Sequence, residues 1–122
     1  MSCNARFEGS PFGVKRPLRF LSEVLVLSEA QHTRVAEVLA ALKTEREQAA
    51  VHTRRSTAML SDAFSAVPYD ATGVEAALRL RAEGETALRD ALAHALKGLH
   101  AVLDPQQRTS FAHLLRTGQL VM

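Results

Sequence analysis

At 122 residues, with 5% aromatic side chains and no tryptophan, the chain has length for one domain and a thin core. Its richness in Ala, Leu, Arg and Glu favours an all-helical fold, and a net charge of +2 with pI near 9.1 is too slight an excess to argue for nucleic acid. No apolar run is long enough to span a membrane, and the single Cys3 rules out an intrachain disulfide.

Residues 1–14 are small, polar and punctuated by Gly9, Pro11 and Gly13, which predicts a flexible tail preceding a single domain over 15–122. The stretch lacks the apolar core of a signal peptide. The expectation is therefore a cytoplasmic protein if the chain is complete, and an exported one if a signal has been removed. Arg6, Lys15, Arg16 and Arg19 outnumber Glu8 here and read as a solvated basic arm.

Pro17 suits a first helical turn, and Leu18, Leu21, Val24 and Leu25 give an apolar face, predicting a short helix over 15–26. Ser28 with Gln31 forms a capping-box pattern at the head of a second helix, predicted over 28–65. No Gly or Pro interrupts it for about 36 residues, roughly 55 Å of helix. Its seam reads Val35, Leu39, Leu42, Arg46, Ala49, Thr53, Ser56, Leu60 and Ala63: apolar at its ends, polar or small in its middle.

Val67-Pro68-Tyr69-Asp70 breaks this helix, since Pro68 disfavours helical geometry at Val67. Asp70, or Thr72 with Glu75, starts a third helix predicted over 71–102, whose seam reads Val74, Leu78, Arg81, Glu85, Leu88, Leu92, Ala95, Leu99 and Val102. The short connection makes an antiparallel hairpin in which facing residue numbers sum to roughly 136. The polar stretches then meet, and the expectation is a hydrated waist, with Arg46 opposite Asp90 and Thr53 opposite Glu83 to Glu85. Asp104, Pro105 and Gln107 begin a last helix, predicted over 105–117, with Phe111, Leu114 and Leu115 as its apolar face and Gly118 as its stop. Together these give an all-α, four-helix chain: a long antiparallel helical hairpin flanked by two short helices. A thin core along so long a hairpin predicts a homodimer.

Leu27-Ser28-Glu29-Ala30-Gln31 and Leu103-Asp104-Pro105-Gln106-Gln107 are one device used twice: Leu, a capping residue, two free positions, Gln. Residues Leu27, Ser28, Gln31, Leu103, Asp104 and Gln107 are thus the structural motif. The pair resembles the two L-T-x-x-Q motifs of the Spy/CpxP family, with Thr replaced by the equally cap-competent Ser28 and Asp104. The resemblance runs from about Leu18 to Leu115. It implies a curved antiparallel homodimer in the periplasm that holds unfolded or aggregating clients without ATP in the stress response. Relatives of the CnrX and ZraP type bind or sense transition metals, which implies metal resistance as the alternative.

The side chains bear on that choice. His32, His52, His94, His100 and His113 include no pair at i, i+4, so no helix face carries two imidazoles. His52 can approach Glu85 across the hairpin, at most two ligands. No metal site and no cofactor is expected, a transition metal being the alternative. There is no nucleophile–base arrangement, phosphate loop or carboxylate pocket, so no catalytic residue and no enzyme is expected. What remains is a surface of Lys43, Arg46, Arg54, Arg55, Arg79, Arg81 and Arg89 with Val51, Met59 and Leu80 among them. From it Arg46, Val51, Arg54, Arg55, Met59 and Arg81 are the expected client-binding residues, attracting unfolded protein by charge and holding it by scattered apolar contacts.

Overall fold

A computed structural model describes residues 15–122, and the tail expected over 1–14, with Cys3, lies outside the described residues. Four helices follow one another: α1 (Lys15–Leu25), α2 (Glu29–Ser65), α3 (Ala71–Val102) and α4 (Pro105–Thr117). Among the described residues there is no strand. The fold is all-α, with α2 and α3 turning back on each other as an antiparallel hairpin and a short helix on either side of them in sequence. Each helix end lies within a residue of where the caps and prolines predict it. At α3 the choice falls on Asp70: its Oδ1 accepts from the Gly73 N–H at 2.9 Å, and its carbonyl accepts from Val74 at 3.1 Å.

The described residues pack as two compact units, one of 15–43 with 92–122 and one of 44–91. The first contains α1, α4, the start of α2 and the end of α3. Its core is Leu21, Leu25, Val35, Val38, Leu42, Ala95, Leu99, Leu103, Phe111, Leu114 and Leu120, all buried. Leu120 is held by its N–H donating to the Leu114 carbonyl at 3.1 Å, so the chain end folds back onto α4. Gly98 lies flat against α2: a Cβ there would sit 3.3 Å from Val38 Cγ2.

Two helices of this unit end in left-handed residues. Gly118 (φ 79°) closes α4, its N–H donating to Leu115 O at 3.2 Å, a conformation glycine adopts freely. Val26 (φ 54°) closes α1, with Leu27 N–H donating to Ser22 O at 3.2 Å in a Schellman-type stop. A β-branched residue in this region is strained, by roughly 1–2 kcal/mol. The strain turns the chain within three residues, from the end of α1 to the head of α2.

The second unit is the hairpin around its turn, and its seam differs from the expected one. The buried positions are Ser56 and Ala63 on α2 and Ala77 and Gly84 on α3. Leu78 is 49% exposed and Glu85 is exposed, so the seam of α3 runs one residue earlier than expected here. Small residues bring the backbones close: a Cβ on Gly84 would stand 2.8 Å from His52 Cβ. The middle of the pairing is close-packed around Ser56, which is wholly buried, while Thr53, Glu83 and Glu85 beside it are exposed. Asp90 is engaged by its neighbour Arg89 at 3.7 Å, and Thr53 Oγ1 donates back to Ala49 O at 3.1 Å.

Two substitutions test these readings by sign. On an exposed helix Gly→Ala stabilises by about 1 kcal/mol. Gly84→Ala is instead expected to destabilise by about 1–2 kcal/mol through overpacking against His52. Val26→Gly is expected to raise stability by about 1 kcal/mol, the relief at a left-handed position exceeding glycine's entropic cost. Urea midpoints moving the opposite way would contradict the close packing in the first case and the strained stop in the second.

Candidate functional site

The two motif corners meet in the first unit. At the head of α2, Gln31 N–H donates to Ser28 Oγ at 3.1 Å while Ser28 N–H donates to Gln31 Oε1 at 2.9 Å. At the head of α4, Gln107 N–H donates to Asp104 Oδ1 at 2.8 Å and Asp104 N–H donates to Gln107 Oε1 at 3.0 Å. Each is a complete capping box. The glutamine amides then reach each other: Gln31 Nε2 donates to Gln107 Oε1 at 2.7 Å, and Gln107 Nε2 donates to Gln31 Oε1 at 3.1 Å. Their remaining N–H groups donate to Val102 O at 2.8 Å and to Leu25 O at 3.1 Å.

Those two carbonyls belong to the last residues of α3 and α1, where helix carbonyls lose their intrahelical donors. One amide pair thus starts two helices and finishes the two before them. Each glutamine oxygen accepts twice and each amide nitrogen donates twice, so all the hydrogen-bonding capacity of both amide groups is used. Leu103 is buried beneath the second corner, and Leu27 is half-buried beside the first. Beside the amide pair lies a cleft of about 330 Å³, lined by Val24, Leu25, Val26, Asp104, Gln106, Gln107 and Ser110.

The cationic candidates lie in the second unit, and the structure separates them. Arg81 is half-buried and engaged with α2: its Nε donates to Ser56 Oγ at 3.0 Å and its Nη2 to Thr57 Oγ1 at 3.0 Å. Ser56 Oγ in turn donates to Thr53 O at 2.9 Å, and Thr57 Oγ1 donates to the same carbonyl at 3.0 Å. Arg81 is therefore a tie between two helices. Arg54 and Arg55 are exposed and, among the described residues, make no ion pair. Arg46, Val51, Met59 and Leu80 are half-buried. Arg79 pairs with Glu75 at 3.4 Å along its own helix, a solvated contact worth a few tenths of a kcal/mol.

His52 is fixed by its ring Nδ1, 2.9 Å from Gln48 O, and its stem lies against Gly84. Among the described residues no group of three or more His, Cys, Asp or Glu side chains converges as a metal site would require. No helix among them is long and apolar enough to cross a membrane.

Paired corners of this construction define a class of small helical proteins, and the sequence places this chain in it. The LTXXQ motif family model matches residues 13–115. The chain belongs to the LTXXQ motif family, that of the Spy/CpxP/ZraP-like proteins. No curated protein and no solved structure gives a significant match to it.

Why the motif ends in Gln follows from the bonding. A carboxylate at position 31 or 107 would lose both donated bonds and face two oxygens at hydrogen-bond distance. Gln107→Glu is expected to cost about 2–4 kcal/mol at neutral pH, more than Gln107→Ala, because it leaves an unpaired charge and orphaned carbonyls. The glutamate's folded-state pKa would be raised by those oxygens, so its penalty shrinks as pH falls and the acid regains one donor. Denaturation midpoints of both variants at pH 7 and pH 4.5 measure this; a Glu variant more stable at pH 7 would contradict the amide pairing.

Proposed function

We propose that this protein is a non-catalytic, ATP-independent stress chaperone or adaptor that holds unfolded or aggregation-prone protein on the surface of its helical hairpin, as a homodimer. Family membership supports the class. The observation that carries the reading at residue level is the pair Arg54 and Arg55, exposed and without an ion-pair partner among the described residues, near the half-buried Val51 and Met59 on α2. Such a surface attracts an acidic unfolded chain over a distance of about 8–10 Å at physiological salt. It then holds the chain by desolvating scattered apolar groups, with Met59 adapting to whichever side chain arrives. Arg81 contributes differently: its bonds to Ser56 and Thr57 keep α2 and α3 in register beneath that surface.

The test separates capture from retention. Arg54→Ser with Arg55→Ser is expected to slow capture of an acidic unfolded client about tenfold, and added salt should slow the parent protein similarly. Val51→Ser with Met59→Ser is expected to shorten the complex's lifetime and leave the salt dependence of capture unchanged. Stopped-flow binding and an aggregation assay measure both. If the parent protein fails to suppress aggregation yet binds zinc, nickel or copper below micromolar, the chaperone reading falls and metal sensing replaces it.

A further inference from the structure

The turn between α2 and α3 exposes the densest group of large apolar side chains among the described residues. Phe64 is 80% exposed, Val67 97% and Tyr69 59%, within six residues of sequence. Single apolar residues at a surface are ordinary, whereas a cluster needs a partner to cover it. This cluster is built firmly. Asp70 N–H donates to Ala63 O at 3.3 Å, and Asp70 Oδ1 caps α3 through Gly73. Ser65 Oγ donates to Asp62 O at 3.2 Å, and Ala63 and Ala77 are buried beneath. A Cβ at Gly73 would stand 3.1 Å from Ala63 Cβ and collide with the Asp70 carboxylate, so the turn has no slack. The backbone that presents the three side chains is thus set before binding, which lowers the ordering cost of docking.

Charge says what would cover it. From Ser56 to Leu78 the sequence has no Lys, Arg or His, in a chain that carries 15 Lys and Arg residues in all. The same stretch holds Asp62, Asp70 and Glu75. Glu75 is engaged by Arg79, while Asp62 and Asp70 make no ion pair among the described residues. An anionic lipid surface would repel these carboxylates, and helices that lie on membranes carry Lys and Arg on their polar face instead. We propose that this turn is a docking knob for a second protein, one whose surface offers an apolar depression rimmed by lysine or arginine. Phe64, Val67 and Tyr69 enter the depression, and Asp62 and Asp70 meet the rim. The knob is separate from the Arg54–Arg55 surface and selects the opposite charge.

The molecule carries its own reporter, because Tyr69 is its one tyrosine and there is no tryptophan. The full chain is titrated with a synthetic helical peptide that has a leucine face and a lysine rim and lacks aromatic residues. A matched peptide with glutamate in place of lysine is the control. A saturable change in Tyr69 emission is expected with the lysine peptide and at least tenfold weaker binding with the glutamate peptide. Phe64→Ser with Val67→Ser, and separately Asp62→Lys, should each weaken the lysine peptide at least tenfold with helical content unchanged by circular dichroism. The proposal is overturned if the lysine peptide leaves the emission unmoved, or if the two peptides bind alike. A response to phosphatidylcholine or phosphatidylglycerol vesicles that matches the peptide's would make the occupant a membrane. A change on diluting the protein alone that Phe64→Ser with Val67→Ser abolishes would make it a second copy.

Discussion

The reciprocal amide pair of Gln31 and Gln107 is the constraint on which the first unit depends. It joins residues 76 apart in sequence, and each amide group serves its own helix start, the other amide and the end of the helix that precedes its partner's. No other side chain can fill both positions in this geometry. A carboxylate has no donor, an ammonium has no acceptor, and asparagine is one carbon too short to reach back to its own cap. The capping position three residues earlier is far less restricted, because any short side-chain oxygen can accept from the first-turn N–H. That is why Ser28 and Asp104 can each stand where the family motif has threonine while both glutamines remain. The motif is a statement about amides, with the cap as a variable.

The second unit is held by different means. Ser56, Ala63, Ala77 and Gly84 give the helices little apolar area to bury, and close approach of the backbones replaces it. Dispersion between backbones and short side chains rises steeply as separation falls, so the gain depends on having no side chain in the way. Arg81 adds a directional bond to two hydroxyls of α2, which apolar packing between small residues would not supply. A seam of small residues also leaves the long cationic side chains outside. Arg54 and Arg55 therefore carry their charge in solvent, where it can act at a distance.

Much of this was legible in the sequence for a local reason. Helix ends depend on residues within four positions of one another, so Ser28 with Gln31, Pro68 with Asp70, and Asp104 with Pro105 mark the elements to within a residue. The meeting of Gln31 with Gln107 follows once the hairpin fixes which numbers face each other. The packing in the middle was less legible. The sequence reading followed Leu78 and Glu85 because large or charged side chains stand out, whereas the seam runs through Ala77 and Gly84. Small residues at heptad spacing were the available signal. Arg81 read as one more surface cation, since nothing local to it announces that Ser56 and Thr57 will take its donors. Val26 gave no signal at all: sequence preference puts glycine at a left-handed helix stop, and only the short reach from α1 to α2 demands it there.

The turn between α2 and α3 has one more consequence, for how the protein behaves when concentrated. An exposed apolar knob is a ready nucleus for self-association, and two such knobs meeting across a symmetry axis would bury Phe64, Val67 and Tyr69 at once. In that encounter Asp62 and Asp70 of one molecule face the same carboxylates of the other, with no lysine or arginine from Ser56 to Leu78 to offset them. Like charges brought together as water is excluded oppose contact more strongly the closer it becomes. If the turn docks as proposed, these carboxylates would serve as a colloidal safeguard, leaving the apolar surface open to a cationic stranger and closed to its own image.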